Sequence, residues 1–368
     1  MRFASGLHAA RTLSSALATR SGQLGHTSDP SKPPVSIRQV AAAAGVSIAT
    51  VSRAINTPSA VAEPTLSRVR AAIEQLGYAP NPLAQALMSG ESRVLGIALP
   101  WFHGEFFTRM LQGADEEATR LGYHLLVTSM TRAQASRRKD RILGTGLIDG
   151  MIVIIDDVHD PLAQEVIDSP MPSVMVCADF SDKGVDSVVL DNKRGTREAV
   201  EHLLRWVDAG KCFFVGGPMG NVDSQERAAT FTAALAERGH QVRPDQVSFG
   251  EYGVTWGKEW AMRAHQRRTL DGAAILAAND EIACGILRAA ESARLWVPDQ
   301  VRIVGFDDTR LASLMRPTLS SVALPMEDVG AAAVRALVAR MERRETPTTC
   351  VRLPTRLVVR ESSTAATF

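Results

Sequence analysis

An α/β body carrying a small all-helical head is the fold class this sequence predicts, on three observations. Residues 37–76 hold three segments with helical apolar spacing, two of them separated by a tight glycine turn. From residue 94 onward, short apolar runs alternate with amphipathic stretches, the pattern of parallel sheets with helices on both faces. The charge is also divided. The first 94 residues carry nine Arg or Lys against four acids, so a whole-chain net of +1 leaves −4 for the remainder. A basic head on an acidic body confines any nucleic-acid contact to the head. At 368 residues the chain is too long for one ordinary core, and 45% hydrophobic with 22% charged residues is the balance of a soluble globular protein.

Residues 1–34 contain Arg2, Arg11 and Arg20, many Ser and Ala, and no acid before Asp29. Transit peptides and disordered tails share that composition. His8, Arg11 and Thr12 break the apolar run that a secretory signal needs, so 1–34 is expected to be a disordered extension outside the fold.

The head is expected over 35–80. Ser36-Ile37-Arg38-Gln39 has the form of a capping box, in which the Ser hydroxyl accepts an amide three residues on and Gln39 reaches back. The helix it opens, 37–44, stops at Gly45, which tolerates the left-handed turn. Ser47 is a second N-cap, opening 48–55. Val40, Val46, Val51 and Ile55 can form a small core, leaving Ile48, Ala49, Ser52 and Arg53 outward. A third helix starts at Glu63-Pro64 and ends before Gly77, with Leu66, Val69, Ile73 and Leu76 on one face. Pattern alone fits either a DNA-reading unit or a generic three-helix subdomain.

Residues 81–92 form the expected hinge. Asn81 suits an N-cap and Pro82 the first helical position. Residues 83–88 span under two turns, too short to be helical alone in water, so the segment should order only when something holds it. A flexible linker, with Leu87 packing on the next domain, is the alternative.

The body is expected over 93–362, with 363–368 as a tail. Its apolar runs are 94–99, 124–128, 151–155, 173–176, 187–190, 212–215, 273–276 and 301–304, and amphipathic segments include 107–121, 225–238 and 280–293. So many strands over some 270 residues imply two sheets, hence two lobes, with lobe 1 at about 93–190 and 321–348 and lobe 2 at about 191–320 and 349–362. The runs end in polar residues: Pro100, Ser129, Asp156-Asp157, Asp191-Asn192, Asn279-Asp280 and Asp307-Asp308. Ligands of open α/β sheets sit at the carboxyl ends of strands, so these residues should converge on one cleft.

Enzyme signatures are missing. Gly144-Thr145-Gly146 followed by Gly150 fails the dinucleotide spacing, and no P-loop, G-x-S-x-G or H-E-x-x-H occurs. Cys177, Cys212, Cys284 and Cys350 are scattered and far from ligand spacing, so reduced thiols in a cytoplasmic protein are expected, with no metal and no cofactor. No apolar run reaches the ~18 residues of a membrane span, and no membrane partner is expected.

The wording of the residues goes further. Ile37-Arg38-Gln39-Val40-Ala41, Ala44-Gly45-Val46-Ser47, Thr50-Val51-Ser52-Arg53, Leu76-Gly77-Tyr78 and Pro80-Asn81 resemble, in order and spacing, the DNA-binding head of the lactose/purine repressor (LacI-type) family. Ala62 departs from it, where a capping Ser or Asp is more usual. The resemblance continues through Phe106-Phe107, Leu121-Gly122-Tyr123, Ile148-Asp149-Gly150, Asn279-Asp280, Gly305-Phe306-Asp307-Asp308, Leu353-Pro354-Thr355 and Arg360-Glu361-Ser362, covering roughly residues 35 to 362. It implies a body similar to periplasmic sugar-binding proteins.

The resemblance also implies roles. The helix from Ser47 would enter the major groove, with Arg53 suited to guanine O6 and N7 and Ile48 and Ala49 to a thymine methyl. Ser52 shares that outward face, and Ser36, Ser47, Thr50 and Asn56 would anchor phosphates, which position without specifying. The hinge, capped by Asn81, would pair with its dimer mate in the minor groove and wedge Leu87 into the central step, kinking the duplex. Effector contacts would be Phe106 and Phe107 as apolar walls and Arg227, Asn279 and Asp307 as polar clamps, with Asp179 and either Tyr252 or Trp256 also at the pocket. As bare residues, Asn279 can equally cap the helix that follows it and Asp307 close a turn.

The implied function is a sequence-specific regulator, most simply a repressor. Its partners are pseudo-palindromic double-stranded operator DNA, a sugar-like small effector and a second copy of itself. Without a terminal heptad repeat a dimer is expected, acting in the bacterial cytoplasm at the nucleoid. Two rivals stay open: a transport-type sugar receptor, which shares the body fold, and a DNA-bending protein with a vestigial pocket.

Overall fold

A computed structural model describes residues 35–78, 91–100, 104–129, 146–157, 159–343 and 346–364. The expected extension 1–34, the hinge positions Asn81 and Leu87, and the end of the tail (365–368) lie outside the described residues. The chain divides into two units, 1–88 and 89–368.

In the first unit α1 (Ile37–Ala44), α2 (Ile48–Asn56) and α3 (Glu63–Leu76) follow the expected bounds closely. Gly45 turns the chain between α1 and α2 at φ 63°, a conformation that costs glycine little. Val40, Ala41, Ala44, Val51, Ala54, Leu66, Val69 and Ala72 form the core. Val46 and Ile55 were expected inside but are only half-buried, packed against the margin of this core.

The second unit holds two six-stranded sheets. Lobe 1 comprises β1 (Val94–Leu99), β2 (His124–Ser129), β3 (Gly150–Ile154), β4 (Ser173–Val176), β5 (Asp186–Asp191) and β11 (Cys350–Pro354), in the order β11-β5-β4-β3-β1-β2. Lobe 2 comprises β6 (Cys212–Val215), β7 (Val247–Ser248), β8 (Ala273–Ala277), β9 (Val301–Asp307), β10 (Ser320–Ala323) and β12 (Arg356–Val358), in the order β12-β10-β9-β8-β6-β7. Every pairing is parallel except β10 with β12. The helices are α4 (Glu105–Arg120), α5 (Pro161–Ile167), α6 (Asn192–Leu203), α7 (Val222–Ala236), α8 (Val254–Gln266), α9 (Asp280–Ser292), α10 (Arg310–Leu314) and α11 (Met326–Glu342).

This arrangement corrects three boundaries. Residues 320–323 were assigned to lobe 1 beyond residue 320, but β10 runs parallel to β9, with Ser320 opposite Val304, and belongs to lobe 2. Residues 350–354 were assigned to lobe 2, but β11 pairs with β5, with Cys350 opposite Ser187, and belongs to lobe 1. Both strands are short and interrupted by polar residues, and only the neighbour that satisfies their backbone groups says where they lie. The tail also begins later than residue 363: Ser363 is buried and its hydroxyl bonds Ser320 at 2.6 Å and His202 Nε2 at 2.7 Å.

Each lobe is closed by a helix pair in backbone contact. A Cβ at Gly113 of α4 would overlap the carbonyl of Glu327 in α11, and one at Gly330 would overlap that of Met110. In lobe 2, Gly257 of α8 and Gly285 of α9 stand in the same relation to Ile282 and Val254. Glycine is needed here for close approach, whereas elsewhere in a helix it weakens it. The lobes touch beside the strand ends. The Val222 amide donates to the Asp156 carbonyl at 2.9 Å, and the Glu105 carboxylate accepts the Arg310 amide at 3.0 and 2.8 Å.

Candidate functional site

The head presents one polar face. The Ser36 amide donates to Gln39 Oε1 at 2.8 Å, and its hydroxyl donates to the same oxygen at 3.0 Å, which sets the entry to α1. Ser47 caps α2: its hydroxyl accepts the Thr50 amide at 3.1 Å and lies 2.9 Å from the Thr50 hydroxyl. Because Val51 and Ala54 turn into the core, Ile48, Ala49 and Arg53 are exposed on the opposite side, with Ser52 half-buried between the two faces. Ile48 is 45% exposed. Ser36, Ser47 and Asn56 are exposed around it, and Asn56 Nδ2 reaches the Ser52 hydroxyl at 3.4 Å. Ala62 makes no side-chain cap on α3, as its lack of an acceptor requires.

In the second unit a cavity open to solvent lies where strand ends of both lobes meet. Five expected effector residues, Phe106, Phe107, Arg227, Asn279 and Asp307, line it. The Phe106 and Phe107 rings meet edge to face, centroids 5.0 Å apart. Asn279 lines the wall while its Oδ1 caps α9, accepting the Ile282 amide at 2.8 Å, so the two roles coexist. Arg227 is held from several sides. Its Nε donates to Asn192 Oδ1 at 2.8 Å, one Nη to the Ala278 carbonyl at 2.6 Å, and its plane lies 3.8 Å from the Phe306 ring centroid. Asp307 Oδ1 stands 4.0 Å away.

Asp179 is a correction. It is absent from the lining, and its carboxylate instead accepts the Ser181 amide and hydroxyl at 3.0 and 2.7 Å. The chain leaves β4 with Cys177 at φ 77°, and Cys177 lines the wall where Asp179 was expected. Of the aromatic pair left open, Tyr252 lines the cavity, its hydroxyl donating to Asn221 Oδ1 at 2.9 Å, while the Trp256 indole donates to the Gly216 carbonyl at 3.0 Å behind the strand exit. Of the strand ends expected to converge, Asp156, Asn279-Asp280 and Asp307 do; Ser129 does not, and Asp191 caps α6 by accepting the Arg194 amide at 3.1 Å.

Sequence reasoning missed Glu105, Cys177, Asn221 and Asp223. Asp223 was within reach, since it precedes Arg227 by one helical turn and so shares its face. Burial pushes Asp280 up to about 7, although Ser321 and Thr309 donate to it. Burial likewise raises Asp307 well above the carboxylate range against the pull of Arg227, and repulsion from Asp280, Asp223 and Glu281 adds to the rise. Among the described residues, no group of three or more His, Cys, Asp or Glu is placed to hold a metal ion, and no helix is long and apolar enough to cross a membrane.

A helix-turn-helix unit and a separate two-lobed unit with an interlobe cavity define a DNA-binding regulator that answers to a small molecule. Comparison with known proteins agrees. Residues 36–81 match the model for bacterial regulatory proteins of the lacI family, and residues 209–363 match the periplasmic binding protein-like domain. Catabolite control protein A of Priestia megaterium is 31% identical over 334 residues, covering 89% of this chain and 99% of that protein. The ribose operon repressor of Escherichia coli (strain K12) is 28% identical over 313 residues, 83% of this chain and 92% of that one. The lac repressor dimer bound to operator and an anti-inducer superposes with a TM-score of 0.81 at 26% identity, covering 90% of this chain and 100% of that one. The chain belongs to the lacI family of bacterial transcriptional regulators, and its relatives are regulators rather than enzymes.

Proposed function

We propose that this protein represses transcription as a homodimer on a pseudo-palindromic operator, released or recruited by a small hydroxylated metabolite in the interlobe cavity. The observation that carries the DNA half is α2, which turns Ile48, Ala49 and Arg53 outward from a firm core. Arg53 reads guanine, Ile48 and Ala49 meet thymine methyls, Ser52 shares their DNA-facing side, and Ser36, Ser47, Thr50 and Asn56 hold the phosphates beside them. On the operator Leu87 wedges the central step, which bends the site.

In the cavity Phe106 and Phe107 face the C–H surface of a sugar-like ligand, and Arg227, Asn279 and Asp307 hydrogen-bond its hydroxyls. The Glu105 and Asp156 contacts across the lobes lie beside this cavity, so a ligand there biases one lobe arrangement over another. Operator and effector are then coupled by typically ~1–3 kcal/mol, reciprocally. The protein acts in the cytoplasm and catalyses no reaction.

The test is selection of the intact protein on a randomised duplex pool, with and without a panel of sugars. The expected result is a palindromic consensus whose binding falls steeply with salt and responds to one compound. No preference over random DNA under any condition refutes the proposal.

A further inference from the structure

Lobe 2 carries a groove that shares no lining residue with the interlobe cavity. It runs between α8 and the 244–249 segment, which holds β7, the edge strand of the sheet. Every residue from 159 to 343 is described, so the elements that build the groove are described in full. Trp256, Trp260, Arg263 and Arg267 follow one another at spacings of 4, 3 and 4, which is one face of a helix, and all four line the groove.

The aromatic part suits stacking. Trp256 Nε1 donates to the Gly216 carbonyl and Trp260 Nε1 to the Ser248 hydroxyl, both at 3.0 Å. With both indole N–H groups bonded inside the protein, the rings offer π surface, to which the half-buried Phe249 adds.

The charged part is basic. Arg263 lies over Trp256, 5.3 Å from the ring centroid. Its ion pair with Glu259 is long, 3.8 Å, with side chains 49% and 59% exposed, so water screens it. Arg267 is exposed and makes no ion pair with any described residue. Asp245, the acid on the lining, is already bonded by Arg243, whose guanidinium donates at 3.0 and 3.4 Å. Two guanidinium forks a helical turn apart therefore stand beside ring surface, and the nearby acid has its own partner.

A planar fork matches the oxygens of a phosphate or carboxylate, and a stacked aromatic accepts any flat base. A phosphate monoester, carrying about −1.5 to −2 at neutral pH, answers two guanidiniums better than a singly charged carboxylate does. We infer that this groove binds a nucleoside monophosphate as a second ligand of the regulator, its base on the Trp256 and Phe249 rings and its phosphate between Arg263 and Arg267.

The experiment is calorimetric titration of the intact protein with AMP, GMP, CMP and UMP, their nucleosides, and inorganic phosphate. At least one monophosphate should bind about tenfold or more tighter than its nucleoside, the least that a charge-assisted hydrogen bond confers. It should also bind more tightly than inorganic phosphate, and added salt should weaken it. Arg267→Gln should weaken that binding about tenfold while leaving the nucleoside unaffected and, because the side chain is exposed, the Tm unchanged. Arg263→Gln is the second variant and should act in the same direction. Failure of every monophosphate to bind overturns the inference, as does a nucleoside or inorganic phosphate that binds as tightly as the monophosphate. So does monophosphate binding that both variants leave unchanged, since the ligand then sits elsewhere, in the interlobe cavity or on the head.

Discussion

Replacing Arg227 by Lys keeps the charge and removes the fork. The guanidinium serves Asn192 Oδ1 and the Ala278 carbonyl at once, stacks on Phe306 and stands 4.0 Å from Asp307. One ammonium on a flexible stem can satisfy one of these acceptors. The variant therefore loses at least one charge-assisted hydrogen bond, worth ~1.5–3 kcal/mol, and leaves its acceptor buried and unpaired. The lost stacking on Phe306 adds ~1 kcal/mol. A net cost of about 3 kcal/mol follows, which for a body of this size lowers its Tm by about 6–12 °C. Thermal unfolding of the intact variant by circular dichroism measures it, with operator titration alongside to show that the head still folds. A Tm within about 2 °C of the parent would mean that Arg227 is not a strut of the cavity, and the geometry drawn from it would fail.

Arg53→Ala should cost ~1–3 kcal/mol on the preferred operator and relax discrimination at one base pair per half-site, leaving salt dependence nearly unchanged; competition binding with single-base operator variants checks this. Gly113→Ala should force α4 away from α11 because its methyl overlaps the Glu327 carbonyl, costing ~1–3 kcal/mol, more than the ~1 kcal/mol that alanine gains in a helix. A denaturant midpoint equal to or above that of the parent would refute the close packing. Asp280 supplies a pH test. Its folded value is raised by burial to about 7, so the folded state binds its proton more tightly than the unfolded state does. The stability this confers is complete below the unfolded value of ~4 and is lost as pH rises through about 7. Tm measured for parent and Asp280→Asn from pH 4 to 7 should therefore show the parent losing ground steadily as pH rises, and a constant difference would contradict it.

Much of the architecture was readable before any coordinates. The runs at 94–99, 173–176 and 212–215 coincide with β1, β4 and β6 because a strand buried on both faces must be apolar throughout. Strands β7, β10, β11 and β12 were missed. β7 has two residues, β10 begins Ser320-Ser321, and β11 and β12 lie at sheet edges where polar residues are tolerated. Those omissions also misplaced the lobe boundaries.

Sequence alone settled the head, whose caps, glycine turn and apolar spacing lie within some forty consecutive residues and act on their neighbours. It also determined that polar strand ends would gather, since parallel strands point their carboxyl ends the same way. Which of those ends meet was decided only by the tertiary structure. The cavity brings Glu105 and Thr309 together across two lobes, and its wall takes Cys177 rather than Asp179 after β4. That Glu105 and Asp156 share this wall with Asp280 and Asp307 was likewise invisible along the chain, because it depends on distances between residues far apart in sequence, and no local pattern encodes them.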